Sequence, residues 1–147
     1  MSLMKISHQW EENTMTFFKE GRKLNYAEVV ETLDMLIKQN ILSQLETEEI
    51  YNLFLKLFKF TEDVVEHYLE EIGYKVVNSK QTFFTASKLK IVSDIAVWNE
   101  SIQVKKDIET EGHNLVSKEM LIAFMSEPYY QAMKVLKINL ESKQKQK

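Results

Sequence analysis

Cysteine is absent from this chain, so it can form neither a disulfide nor a thiolate metal site within itself. Its three glycines stand far apart, which leaves no glycine-rich phosphate loop. One proline and three glycines in 147 residues also remove most of the punctuation that turn-rich β folds use, and they point to helices. No apolar run approaches the ~20 residues that span a bilayer, so no membrane segment is expected. The opening MSLMKISHQW has no uninterrupted apolar core and no small-residue cleavage site, and a cytoplasmic protein is expected. A basic excess is missing too: 19 Lys plus Arg stand against 22 Asp plus Glu, a net charge of −3. That balance gives no general attraction to nucleic acid.

What is present is helical periodicity. Residues 6–19 carry Ile6, Trp10, Phe17 and Phe18, with Gly21 as a stop. Asn25 is the expected cap of the next helix, in which Val29, Leu33, Leu36 and Ile37 share one stripe. Thr47 is the expected cap of a third helix, with Glu48 and Glu49 at the positive end of its dipole. There Ile50, Phe54, Leu57, Thr61, Val64, Tyr68 and Ile72 recur every three or four residues, and Leu53, Phe58, Val65 and Leu69 widen the stripe. Gly73 ends it. So broad a face suits either a central bundle helix or a seam shared with a second subunit.

A short helix is expected from about Lys80 to Leu89, capped by Ser79, with Phe83, Phe84 and Leu89 inward. By propensity TFF and KIVSDIAV are also acceptable as strands. A helix with Ile95, Trp98, Ile102 and Ile108 follows Ser93 and leads to Gly112. Ser117 caps the last helical region, where a break and restart is expected around Ser126 and Pro128. The fold class is therefore all-α, an antiparallel up-and-down bundle of four to six helices. Residues 1–25 read as an N-terminal helical addition, 26–142 as the bundle and 143–147 as a flexible basic tail.

Chemistry is sparse. There is no HExxH, no nucleophile elbow and no cysteine nucleophile. Neither a metal nor a cofactor is expected. Glu70 and Glu71 are neighbours on a helix and point in different directions, as surface acids do. His67 flanks the broad apolar stripe, and His8 belongs to the N-terminal stretch. Asp107 and His113, in KKDIETEGHN at the end of a helix, are the candidate catalytic pair, because imidazole titrates near neutrality.

The stretch from Phe58 through Asn114 resembles the substrate-binding subunits of minimal nucleotidyltransferases, helical partner proteins of the HEPN group. The likeness rests on Phe58 to Glu62, Tyr68 to Tyr74 and the Asn78–Ser79 turn. Phe84, Ala86, Leu89 and Ile91 follow in the same order, then Trp98, and last Asp107 and His113. It implies a bundle of four or five helices, usually a homodimer, in complex with a small nucleotidyltransferase. Many members of that group are the toxin half of a toxin–antitoxin pair and cleave RNA with an arginine and a histidine, so nucleotide and RNA are the ligand classes it carries.

At the decisive position this chain departs from the pattern. The arginine slot holds Ile108, the following asparagine is Glu109, and the tyrosine two beyond the histidine is Leu115. Isoleucine can neither hold a scissile phosphate nor stabilise developing charge, whereas a guanidinium does both. The expectation is thus a non-catalytic partner subunit or degenerate toxin–antitoxin component. The alternative is a metal-independent ribonuclease using His113, with Lys105 or Lys106 as the cation. The expected homodimer would draw on Phe58, Val65, Tyr68 and Trp98, with His113 near its edge.

Overall fold

The computed structural model describes residues 26–145, apart from the side chains of residues 113, 144 and 145. The helix expected over 6–19, its stop at Gly21, the cap at Asn25 and His8 lie outside the described residues.

Six α-helices follow one another: α1 Tyr26–Lys38, α2 Thr47–Glu71, α3 Ser79–Lys88, α4 Ile95–Thr110, α5 Lys118–Phe124 and α6 Tyr130–Lys145. Short 3₁₀ turns at Leu42–Gln44 and Gly112–Asn114 fill two of the connections. A π-helical turn, Met125–Tyr129, joins α5 to α6 without a break, so the bundle has five rods. No strand occurs among the described residues, and the stretches TFF and KIVSDIAV contribute to helices or to the turn between α3 and α4.

The 25-residue α2 is the axis of the bundle. α3, α4 and α5 pack on it, and α1 lies against α6. Its breadth of apolar surface therefore has an intramolecular cause, since Ile50, Leu53, Phe54, Leu57, Phe58, Val65 and Leu69 are all consumed by neighbouring rods. Burying each such side chain contributes on the order of 1.5–3 kcal/mol. α4 runs antiparallel to α6: Asn139 Nδ2 donates to the Ile91 carbonyl at 2.8 Å and to Ser93 Oγ at 3.1 Å just before α4, whereas Trp98, further along α4, meets Tyr129, just before the start of α6, with ring centroids 5.6 Å apart.

The four residues expected at a dimer seam are buried within one chain. Phe58, Val65 and Trp98 are at most 1% exposed within one chain, and Tyr68 is buried as well. Each is enclosed by side chains of its own subunit.

Several helix boundaries move by one residue. α2 is capped by Glu46 rather than Thr47, and the Glu49 carboxylate reaches back to accept from the Glu46 N–H at 2.9 Å. α3 is capped by Asn78, whose Oδ1 accepts from the Gln81 N–H at 2.8 Å; Ser79 Oγ instead donates to Glu62 of α2. Ser93 does not cap α4, which starts after Asp94, because its hydroxyl accepts from Asn139 Nδ2 at 3.1 Å. Ser117 does cap α5, accepting from the Met120 N–H at 3.1 Å. Gly73 closes α2 at φ +97°.

Two larger expectations change. The helix does not stop at Pro128, because the wider π turn absorbs a residue that lacks an N–H and whose ring would clash with a regular preceding turn. Phe84 points outward at 55% exposed while Phe83 is fully buried, since adjacent helical residues diverge by about 100° and the core takes Thr82, Phe83 and Ala86. α6 extends to Lys145.

Candidate functional site

The segment that raised the question of catalysis begins on the last turns of α4. Asp107 Oδ1 accepts from Gln103 Nε2 at 2.8 Å, and its carbonyl accepts from the Glu111 N–H at 2.8 Å, which closes the helix. Lys105 pairs with Glu109 at 3.4 Å along the helix surface. Ile108 packs partly buried against the core. His113 follows in the Gly112–Asn114 turn, where Gly112 supplies φ +53°, a left-handed conformation that lets the chain leave α4 and turn towards α5. The His113 imidazole lies outside the described atoms. The Asp107 carboxylate, one of the two candidate catalytic groups, is thus occupied by an amide on its own helix.

The anchoring of this end of the molecule is structural. Tyr51 of α2 donates its hydroxyl to the Val116 carbonyl, just after the turn, and Lys118 Nζ donates to the Ser43 carbonyl at 3.1 Å. The first ties the α4–α5 connection to the central helix, and the second ties the start of α5 to the turn between α1 and α2. His67 sits on exposed α2 surface with Nε2 3.0 Å from Glu71 Oε1, one helical turn on, and does not line the groove described next.

A shallow groove of about 180 Å³ opens where α4 faces the π turn and α6. Asp94, Val97, Trp98, Pro128, Gln131 and Val135 line it. Small-molecule sites usually enclose about 300–1,000 Å³ and bring several polar groups together. Its polar side chains are the Asp94 carboxylate, the Gln131 amide, the Trp98 indole N–H and the Ser93 hydroxyl, which accepts from Asn139, and none of these gives Asp94 a second acid or base as a partner. Sequence reasoning missed it; the available signal was Pro128 standing inside an otherwise unbroken apolar period.

Beneath the groove is an aromatic cluster. Trp98 stacks on Phe83 with centroids 4.7 Å apart and planes 6° apart, and meets Tyr129 edge-on at 5.6 Å. Phe54 and Phe124 complete the enclosure of Tyr129 at 5.2 and 5.7 Å. The Tyr129 hydroxyl is buried without a hydrogen-bond partner. Burial drives its pKa well above the ordinary tyrosine value, with Tyr26 adding to the rise; Thr61 is near enough to oppose part of it without forming a hydrogen bond of good geometry. Thr61 Oγ1 donates instead to the Tyr26 hydroxyl at 3.3 Å. Tyr26 is likewise raised by burial, an effect partly offset by Thr61.

A second polar link joins α1 to α6. Tyr130 donates to Asp34 Oδ1 at 2.8 Å, and Lys38 Nζ lies 2.9 Å from Asp34 Oδ2. Lys38 and then Tyr130 hold the Asp34 carboxyl below its ordinary value, while burial and then Asp34 raise Tyr130. Every strong polar contact of this pair is internal, as in a structural clasp.

Among the described residues no group of three or more His, Cys, Asp or Glu side chains is arranged to hold a metal ion. No helix among them is long and apolar enough to cross a membrane. No family model matches the chain, and no curated protein or solved structure matches it either.

Proposed function

We propose that this protein is a non-catalytic helical interaction protein, serving as the partner subunit of a minimal nucleotidyltransferase or as a toxin–antitoxin component that has lost its nuclease residues. The observation that carries this reading is the condition of the 105–113 segment. Ile108 stands where the resemblance calls for a cation, and it is packed against the core. Lys105, one turn earlier, is already neutralised by Glu109 at 3.4 Å. Asp107 is held by Gln103. Cleavage of RNA without metal needs a cation poised on the phosphate as charge develops there. A lysine shared with a glutamate, beside a second carboxylate, is a poor cradle for a polyanion.

The test is co-purification. The tagged chain, co-expressed with the product of the adjacent gene, is expected to run with a nucleotidyltransferase-like protein as one species in gel filtration at micromolar concentration. An adjacent product of another class, or two separately eluting proteins, would overturn this choice of partner.

A further inference from the structure

The charge of this chain is unevenly distributed. Residues 73–93 contain Lys75, Lys80, Lys88 and Lys90 and no acidic side chain. All four lysines are exposed, and none forms an ion pair among the described residues. The rest of the chain carries 15 basic and 22 acidic residues, a balance of −7. The basic segment forms α3 and the turns on either side of it.

The same segment concentrates exposed apolar side chains. Of eight large hydrophobic residues exposed among the described residues, Tyr74, Val77 and Phe84 fall within it, and Val77 is 82% exposed. Lys80, Phe84 and Lys88, spaced four residues apart on α3, form one strip with Val77 at its start. The Val77 N–H donates to Gln81 Oε1 at 2.8 Å. Phe84 lies three residues beyond Gln81 on the same helix face. Lys88 Nζ sits 5.2 Å above the Phe84 ring, and Lys80 is one turn before it. The opposite face of α3, with Thr82, Phe83 and Ala86, is fully committed to the core. Glu62 of α2 reaches the first residue of the helix and is engaged there by Ser79.

We propose that the outer face of α3, from Val77 to Lys88, is a docking surface for an acidic segment of a partner protein that inserts an apolar side chain beside Phe84. This inference rests on the reading of the chain as an interaction protein, but not on the identity of the partner. Lysines with no internal acid to satisfy them complement carboxylates, and they do so most strongly within a Debye length of roughly 8–10 Å. Val77 and the Phe84 ring supply the apolar centre that a charged rim alone lacks. A single-stranded nucleic acid fits less well. Val77 offers nothing to a phosphate or a base edge, and Lys88 already covers one face of the only ring on the strip. α3 spans about 15 Å, so a long polyanion would continue onto a surface whose balance is negative. A short acidic segment ends within the basic strip.

Fluorescence anisotropy of the full chain with labelled 15-residue probes tests this. One probe carries Glu and Leu at helical spacing, a second replaces Leu by Ser, and a third is oligouridine. The Glu/Leu peptide is expected to bind saturably and to weaken with added salt. Binding is expected to fall roughly tenfold for the Lys80→Glu/Lys88→Glu variant, for Phe84→Ala and for the Ser-substituted peptide. Both variants alter exposed side chains, and unchanged thermal unfolding followed by circular dichroism confirms that each is folded. Equal binding by the variants, absence of peptide binding, or binding of oligouridine alone would each overturn the proposal. A chain that fails here yet co-purifies with its adjacent-gene product would use another face, which separates the two failures.

Discussion

Tyr129 holds a polar atom that the core does not satisfy. Leaving a buried hydroxyl unpaired costs about 1–3 kcal/mol, whereas the ring itself is packed by Phe54, Trp98 and Phe124. Tyr129→Phe keeps the ring and removes the orphan oxygen. It is expected to raise the unfolding free energy by about 1 kcal/mol, read from urea denaturation at neutral pH. The same substitution should flatten the alkaline limb of stability. The folded pKa of Tyr129 lies above the ordinary value of 10.0, so as pH rises past that value the unfolded chain ionises first and stability falls. Removing the group removes its share of that fall. A variant less stable than the parent would instead show that the hydroxyl is engaged. None of this is legible in the sequence, because periodicity reports that a side chain is inward and not whether its polar tip finds a partner.

At the level of elements, the stop of α2 is the sharpest local constraint. Gly73 adopts φ +97°, and a Cβ placed there meets nothing within 4 Å. Any loss on substitution must then come from the backbone, not from a clash. Gly73→Ala is expected to lower stability by about 1–2 kcal/mol, and Gly73→Asn by less, since asparagine tolerates left-handed conformations better. Equal stability of all three proteins by thermal unfolding would contradict the assignment of Gly73 as a conformational stop. This glycine and the Ser117 cap were both readable, because each follows the last or precedes the first periodic residue of a long helix. The caps of α2 and α3 lie one residue before the expected ones, and that of α4 one residue after. In each pair, Glu46/Thr47, Asn78/Ser79 and Ser93/Asp94, both side chains suit a helix start. Tertiary demands then decide, as when Asn139 takes the Ser93 hydroxyl. Pro128 misled for a related reason, since a π turn relieves the clash that ends an ordinary helix. The outward turn of Phe84 was missed because TFF presents two adjacent aromatics of which only one can face inward.

Across the whole molecule, the fold class was written in the apolar period and in the scarcity of glycine and proline. The wide face of α2 suits a central bundle helix or a dimer seam equally by sequence, because a sequence records how much surface is buried and not whose surface buries it. Phe58, Val65, Tyr68 and Trp98 are used up within one chain. What remains on the surface is a clasp between α1 and α6, a small groove at the π turn and the basic strip of α3. In residues 105–113 the Asp107 carboxylate accepts from Gln103, Lys105 is paired with Glu109 and Ile108 packs against the core. The central claim is therefore that this bundle binds and does not cut. Its most direct test is incubation of purified protein with structured and single-stranded RNA in the presence of EDTA, beside His113→Ala. The account predicts intact RNA in both reactions at micromolar protein over hours. Cleavage by the parent that disappears in His113→Ala, with the variant still folded, would contradict it.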